Sequence, residues 1–316
     1  MRKFAWLVVT AAVALGVAGF AFLHIVDGIG AAAKASTDRA ASTSTARAVA
    51  ASTGTAKVAA TTKTYSMTVA GLNRSYEVIA PAKALPKSAP VFVVLAGYGS
   101  TVAQEVGRDQ FVPYVTAGKA ELVYPVGVDK SWNAGGCCGF ASTHNVNDVA
   151  FLKALVSKVN AGGTRKVFVI GYSNGARLAY RVACTDPGLF AGYAAVKGVP
   201  QPGCTLRKPV NLIQLASVDD PEIPYKPGDK GLEPLPVTTL IAQLHSGEKC
   251  PATSTVQHYG TTTVTSWTGC AGAKNLGFAV WPGGVHSFPR PPGSKPGANQ
   301  VIWSFFTKTA LAPIPA

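Results

Sequence analysis

The pentapeptide Gly171-Tyr172-Ser173-Asn174-Gly175 sets a hydroxyl nucleophile between two glycines. Five loose positions recur by chance, so the neighbours decide what the motif means. The apolar, β-rich run Lys166 to Ile170 precedes it, and a helical run from Ala176 to Ala183 follows it. Strand, tight turn and helix together make a nucleophile elbow, which pushes the serine hydroxyl out of the turn near the positive end of the helix. Glycine is needed on either side because the turn strains the backbone and brings helix and strand too close for side chains.

A serine hydroxyl needs a general base, and the base needs a carboxylate to orient it. In elbows of this kind the partners follow in the order Ser, Asp or Glu, His. Three histidines come after Ser173. His245 ends the helical stretch Val237 to Leu244, and His258 sits in the expected strand Thr253 to Tyr259, so both read as structural. His286 follows the strand Leu276 to Trp281 across Pro282-Gly283-Gly284, in a loop at a strand end, where functional residues of open sheets collect; it is the expected base. The strand Val210 to Leu215 leads into Asp219-Asp220-Pro221. Both aspartates are candidates for the acid: the following proline biases Asp220 to an extended conformation, whereas Asp219 suits a cap or turn, and the family resemblance given below favours Asp220. Two backbone amides are expected to hold the oxyanion, that of Asn174 after the nucleophile and that of Tyr98 in Leu95-Ala96-Gly97-Tyr98-Gly99.

These residues require a frame. Pro90 to Leu95, Glu121 to Val126, Lys166 to Ile170 and Val210 to Leu215 are short apolar runs, as strands buried on both faces are. Asn147 to Val159 has a helical apolar face, with Asn145 or Asn147 to cap it, and Asn299 to Thr307 reads as a packed helix near the chain's end. Tyr65 to Ala70 and Arg74 to Ile79 read as an antiparallel pair joined around Gly71-Leu72-Asn73. Alternation of this kind predicts an α/β domain over 65–316, a mostly parallel sheet with helices on both faces.

Ahead of it, Met1-Arg2-Lys3 and the apolar run Phe4 to Val26 read as an export signal over 1–33, cleaved near Ala31-Ala32-Ala33 or kept as a membrane anchor. The Ala-, Ser- and Thr-rich stretch 34–64 reads as a linker. A secreted, periplasmic or envelope location follows, and it frames the six cysteines as disulfide partners. Cys250 and Cys270, in one Thr- and Ser-rich hairpin-like segment, are the expected bridge. Metal-ligand spacing is missing from the scattered histidines and from Cys137-Cys138, so no metal is expected. The net charge of +14 comes from 29 basic and 15 acidic side chains spread without a basic run. That pattern argues against nucleic acid and leaves an acidic polymer as a permitted partner.

Read in order, Leu95-Ala96-Gly97-Tyr98-Gly99-Ser100, Trp132-Asn133-Ala134-Gly135-Gly136-Cys137-Cys138-Gly139, Gly171 to Gly175, Asp220-Pro221-Glu222-Ile223-Pro224-Tyr225 and Gly283-Gly284-Val285-His286 resemble the polyhydroxybutyrate depolymerase and feruloyl esterase-like family of α/β hydrolases. The resemblance covers about residues 65 to 310. It implies the α/β-hydrolase fold, secretion, a Ser173, Asp220, His286 triad, no organic cofactor and an ester substrate, polymeric or small. It also implies that Trp132 and Asn133 line the substrate cleft or anchor its loop. Two elements depart from the family: Ala96-Gly97 replaces His-Gly, and Ser287-Phe288-Pro289-Arg290 replaces Thr-Trp-Pro-Gly. The first removes a side-chain contact and keeps the backbone donor; neither touches the triad. Two other functions fit the same fold, a peptidase and a catalytically silent binding or envelope protein.

Overall fold

Among the described residues, ten strands form one sheet in the order β1-β2-β4-β3-β5-β6-β7-β10-β9-β8. In chain order the strands are β1 (Ala60–Val69), β2 (Leu72–Pro81), β3 (Val91–Leu95), β4 (Glu121–Pro125), β5 (Val167–Tyr172), β6 (Gly192–Val196), β7 (Leu212–Ser217), β8 (Thr255–Tyr259), β9 (Thr262–Cys270) and β10 (Lys274–Trp281). The helices are α1 (Val102–Asp109), α2 (Val112–Thr116), α3 (Gly139–Thr143), α4 (Asp148–Val159), α5 (Asn174–Thr185), α6 (Val237–Gly247) and α7 (Ala298–Thr307). The computed structural model describes residues 58–290 and 296–311. The expected export signal lies outside the described residues. Among those described, no helix is long and apolar enough to cross a membrane.

The six central strands, from β4 to β10, pair in parallel. Antiparallel β1 and β2 extend one side and β9 and β8 the other. Alternation along β3 shows how the sheet divides the core. Val91, Val93 and Leu95 join a cluster with Leu152 and Leu155 of α4, Leu178 of α5 and Leu240 of α6. Phe92 and Val94 join the opposite cluster, with Val115 of α2 and Ile302 and Phe306 of α7. Both faces are apolar, which is why these strands read as continuous apolar runs. Asn147 caps α4 by accepting the amide of Ala150 at 3.0 Å.

β1 starts at Ala60, so the last residues of the segment read as linker are paired strand; the threonines there suit a pleated surface. Disulfides join Cys250 to Cys270, Cys184 to Cys204 and Cys137 to Cys138. The first crosses from the end of α6 to the end of β9 and ties the antiparallel flank to the body of the domain.

Candidate active site

Ser173 stands between β5 and α5 with φ 52° and ψ −115°, a strained backbone for a residue with a side chain. Close approaches enforce it. A Cβ built on Gly171 would meet the Gly175 carbonyl, and one on Gly175 would meet the Leu95 carbonyl. The Ser173 amide donates to Val196 O at 2.9 Å, which ties the elbow to the neighbouring strand β6.

Ser173 Oγ lies 2.9 Å from His286 Nε2. His286 Nδ1 lies 3.0 and 3.1 Å from the two carboxylate oxygens of Asp220. With Nδ1–H donating to the carboxylate, Nε2 is left to accept the serine proton. Sheet order explains the convergence. Ser173 follows β5, Asp220 follows β7 and His286 follows β10, three strands whose carboxyl ends lie side by side around β6.

Asp220 is buried and its Oδ1 accepts the amides of Glu222 at 3.0 Å and Ile223 at 3.2 Å. Burial pushes its pKa up, but the hydrogen bond and charge of His286, the Glu222 amide and the Lys197 ammonium outweigh that and hold it below the ordinary carboxylate value. Asp219 is exposed. His245 bonds Pro251 O at 2.9 Å and His258 bonds Thr263 Oγ1 at 3.2 Å, both away from Ser173.

The loop after β3 runs alongside the serine. A Cβ on Gly97 would clash with the Tyr172 ring and lie 3.5 Å from Ser173 Cβ. Tyr98 follows Gly97 in that loop, and Asn174 opens α5 in the turn where backbone N–H groups lack helical acceptors. Beneath that loop, buried Glu105 pairs with Arg108, whose guanidinium lies 4.8 Å over the Tyr172 ring.

Of the two readings left open for Trp132 and Asn133, cleft wall and loop anchor, their contacts are those of an anchor. Trp132 is 1% exposed; its Nε1 donates to Ala96 O at 2.9 Å, and its backbone exchanges two hydrogen bonds with the Asn174 side chain. Asn133 is buried, with its side chain on Val146 O and Gly135 N. Trp132 ties the 132–139 loop to the elbow and to the loop after β3, and Asn133 ties it to Val146 and, through its carbonyl, to Arg181 of α5.

Three contributors were not evident in the sequence. Tyr172 Oη donates to His286 O at 2.7 Å. Glu222 Oε2 lies 3.4 Å from His286 Nε2. Lys197, next after β6, is buried at 2% exposure and reaches both Asp220 and the histidine loop. A cavity of about 460 Å³ lined by Arg108, Ser287, Phe288 and Arg290 adjoins the histidine loop. Another, of about 590 Å³ between α5, α6 and the 200–206 loop, includes no triad residue.

No family model matches the chain. Over 187 residues it is 32% identical to "Putative esterase NocK" of Nocardia uniformis subsp. tsuyamanensis, spanning 57% of this chain and 54% of that protein. Over 220 residues it is 26% identical to feruloyl esterase C of Emericella nidulans, spanning 66% of this chain and 74% of that protein. The chain spans about half to two thirds of the length of the first curated relatives it matches. The solved structure of acetyl xylan esterase from Aspergillus awamori superposes with a TM-score of 0.51 at 14% identity, over 74% of this chain and 94% of that one, a likeness of fold. Sheet order, elbow and the fold neighbour show the α/β-hydrolase fold, and the curated proteins to which the chain is similar are named esterases.

Proposed function

We propose that the chain is a serine carboxylester hydrolase working through an acyl-enzyme. The observation that carries this reading is the line of contacts from Ser173 Oγ through His286 to Asp220, each step within 3.1 Å. His286 takes the hydroxyl proton as Ser173 attacks an ester carbonyl, and the amides of Asn174 and Tyr98 hold the tetrahedral oxyanion. His286 returns the proton to the leaving alcohol. A water, deprotonated by the same histidine, then releases the acid. Asp220 fixes the tautomer and balances the imidazolium charge.

Relatives named for feruloyl esters and a fold neighbour named for acetyl xylan support feruloyl or acetyl esters on a polysaccharide as the substrate. The family resemblance carried by the Trp132 to Gly139 loop supports a second reading, a hydroxyalkanoate polyester. The exposed Tyr98 and Val285 beside the site would give such a chain apolar contact. Export in an oxidising compartment is part of the proposal, supported by the charged start, the apolar run Phe4 to Val26 and the three disulfides.

The test is a fluorophosphonate probe on the folded, oxidised chain expressed from Ala35, with the label located by peptide mass spectrometry and Ser173→Ala as control. Stoichiometric labelling at Ser173 is expected, followed by turnover of feruloyl, acetyl or hydroxybutyryl esters. No labelling would favour a silent binding protein; labelling with peptide cleavage and no ester turnover would favour a peptidase.

A further inference from the structure

Four adjacent parallel strands end at the site, and three of them lead into triad residues. The fourth, β6, lies between the serine strand and the acid strand and leads into Lys197. Lys197 has φ 50°, an unusual backbone for a side chain as long as lysine, and its amide donates to Leu215 O on β7 at 2.9 Å. The side chain is buried. Its Nζ donates to Val285 O at 2.5 Å, the residue just before the histidine, and lies 3.4 Å from Asp220 Oδ2. Across the same gap a Cβ built on Gly284 would come within 3.7 Å of Nζ, so the ammonium occupies the space between the acid loop and the histidine loop.

Burying an ammonium is expensive unless charge and hydrogen bonds compensate it. Here both compensating groups belong to the catalytic loops. Asp220 Oδ1 is already held by two backbone amides, and Oδ2 is the oxygen facing Lys197. The histidine loop is held from its other side by Tyr172 Oη on His286 O.

We propose that Lys197 is a positioning residue of this site: its ammonium ties the Asp220 carboxylate to the Val285 carbonyl and so fixes the His286 ring between carboxylate and serine. This rests on the hydrolytic reading above. Asp220 is the charged group that Nζ faces; beyond it stand His286, on Asp220, and Glu222, on His286 Nε2. Burial lowers the Lys197 pKa below the ordinary lysine value, against the opposing charge and hydrogen bond of Asp220. The tie therefore loosens at an alkaline pH lower than the one at which an exposed lysine discharges.

The experiment begins without substrate. A proton shared by His286 Nδ1 and Asp220 gives a far-downfield NMR line, assigned by its loss in His286→Asn. In Lys197→Met and Lys197→Gln, each checked for native circular dichroism, the line moves or broadens away, and Lys197→Arg, which keeps the charge, restores it. On whichever ester the wild type turns over, the Met and Gln variants lose about tenfold to a hundredfold in kcat with KM unchanged, as a misoriented base should. The alkaline limb of the wild-type pH profile is absent from Lys197→Arg. An unmoved line in the folded Met and Gln variants overturns the proposal. A wild type that turns over no ester, while the line still answers to Lys197, overturns the hydrolytic reading and leaves the tie standing. If neither variant folds, the Lys197 Cε resonance in Asp220→Asn decides: it shifts if the ammonium faces that carboxylate, and an unshifted resonance overturns the tie.

Discussion

Asp219 and Asp220 are neighbours in sequence with opposite surroundings, one in solvent and one buried beneath His286. Asp220→Asn should cost roughly 10⁴-fold in kcat, because the amide cannot hold the same tautomer, while Asp219→Asn should stay within about twofold of wild type. Steady-state kinetics on one ester settles both. The depressed Asp220 pKa also bears on stability. The unfolded chain binds the proton first as acid is added, so the stability this carboxylate contributes is present above its unfolded pKa and lost as pH falls through the folded one. Ser173, Asp220 and His286 could be picked out in the sequence because each stands at the end of an apolar strand and their chemical types follow a fixed order. Lys197 could not. A lone lysine after an apolar strand reads as a solvated loop residue, and its surroundings exist only once β6, β7 and β10 are set edge to edge. Trp132 stayed ambiguous for the converse reason: an aromatic in a loop near a site fits a cleft wall or an anchor equally, and its buried indole on Ala96 O is the contact of an anchor.

The elbow shows how an element imposes its own sequence. A methyl at Gly175, in the first turn of α5, would sit on the Leu95 carbonyl at the end of β3, where neither helix nor strand can give way. Gly175→Ala should therefore destabilise the fold by about 3 kcal/mol, against little change for Gly188→Ala, where nothing lies within 4 Å of the added methyl; urea melts of the two variants check the contrast. Long periodic elements such as α4 and the central strands were readable to within about two residues of their ends. β6 was not, because Gly-Tyr-Ala-Ala-Val carries little β-branched or large apolar signal and gains its identity from two flanking parallel strands. α1 was missed as well. Its N-cap Thr101 and Gln104 form a capping box, but α1 follows closely on the Gly97 and Gly99 turn and carries few large apolar residues. The Cys184 to Cys204 bridge depends on how the loop after β6 folds back on α5, which no local pattern encodes.

For the molecule as a whole, pH acts through buried carboxyls as well as through the site. Glu248, beside the Cys250 to Cys270 bridge, is 1% exposed, and burial pushes its pKa up to about 7. The folded protein keeps a proton there that the unfolded chain gives up, so this contribution to stability is full below the unfolded value and is lost as pH rises through 7. It amounts to at most about 3 kcal/mol. Comparing urea stability of wild type and Glu248→Gln between pH 5 and pH 8 should show a decline in wild type that the variant lacks. A last consequence concerns synthesis. Phe92 and Phe168 of the central strands stack on one another, Phe168 stacks on Phe306 of α7, and Trp303 of the same helix stacks on Tyr114. One aromatic face of the sheet is thus closed by a helix more than 130 residues downstream of Phe168 in the chain. While it is being made, the nascent protein must carry that face uncovered for most of its length. It is then in the sticky, unlocked state that chaperones hold, and a chain threaded through a membrane as it emerges would reach the far side before its last helix could lock it shut.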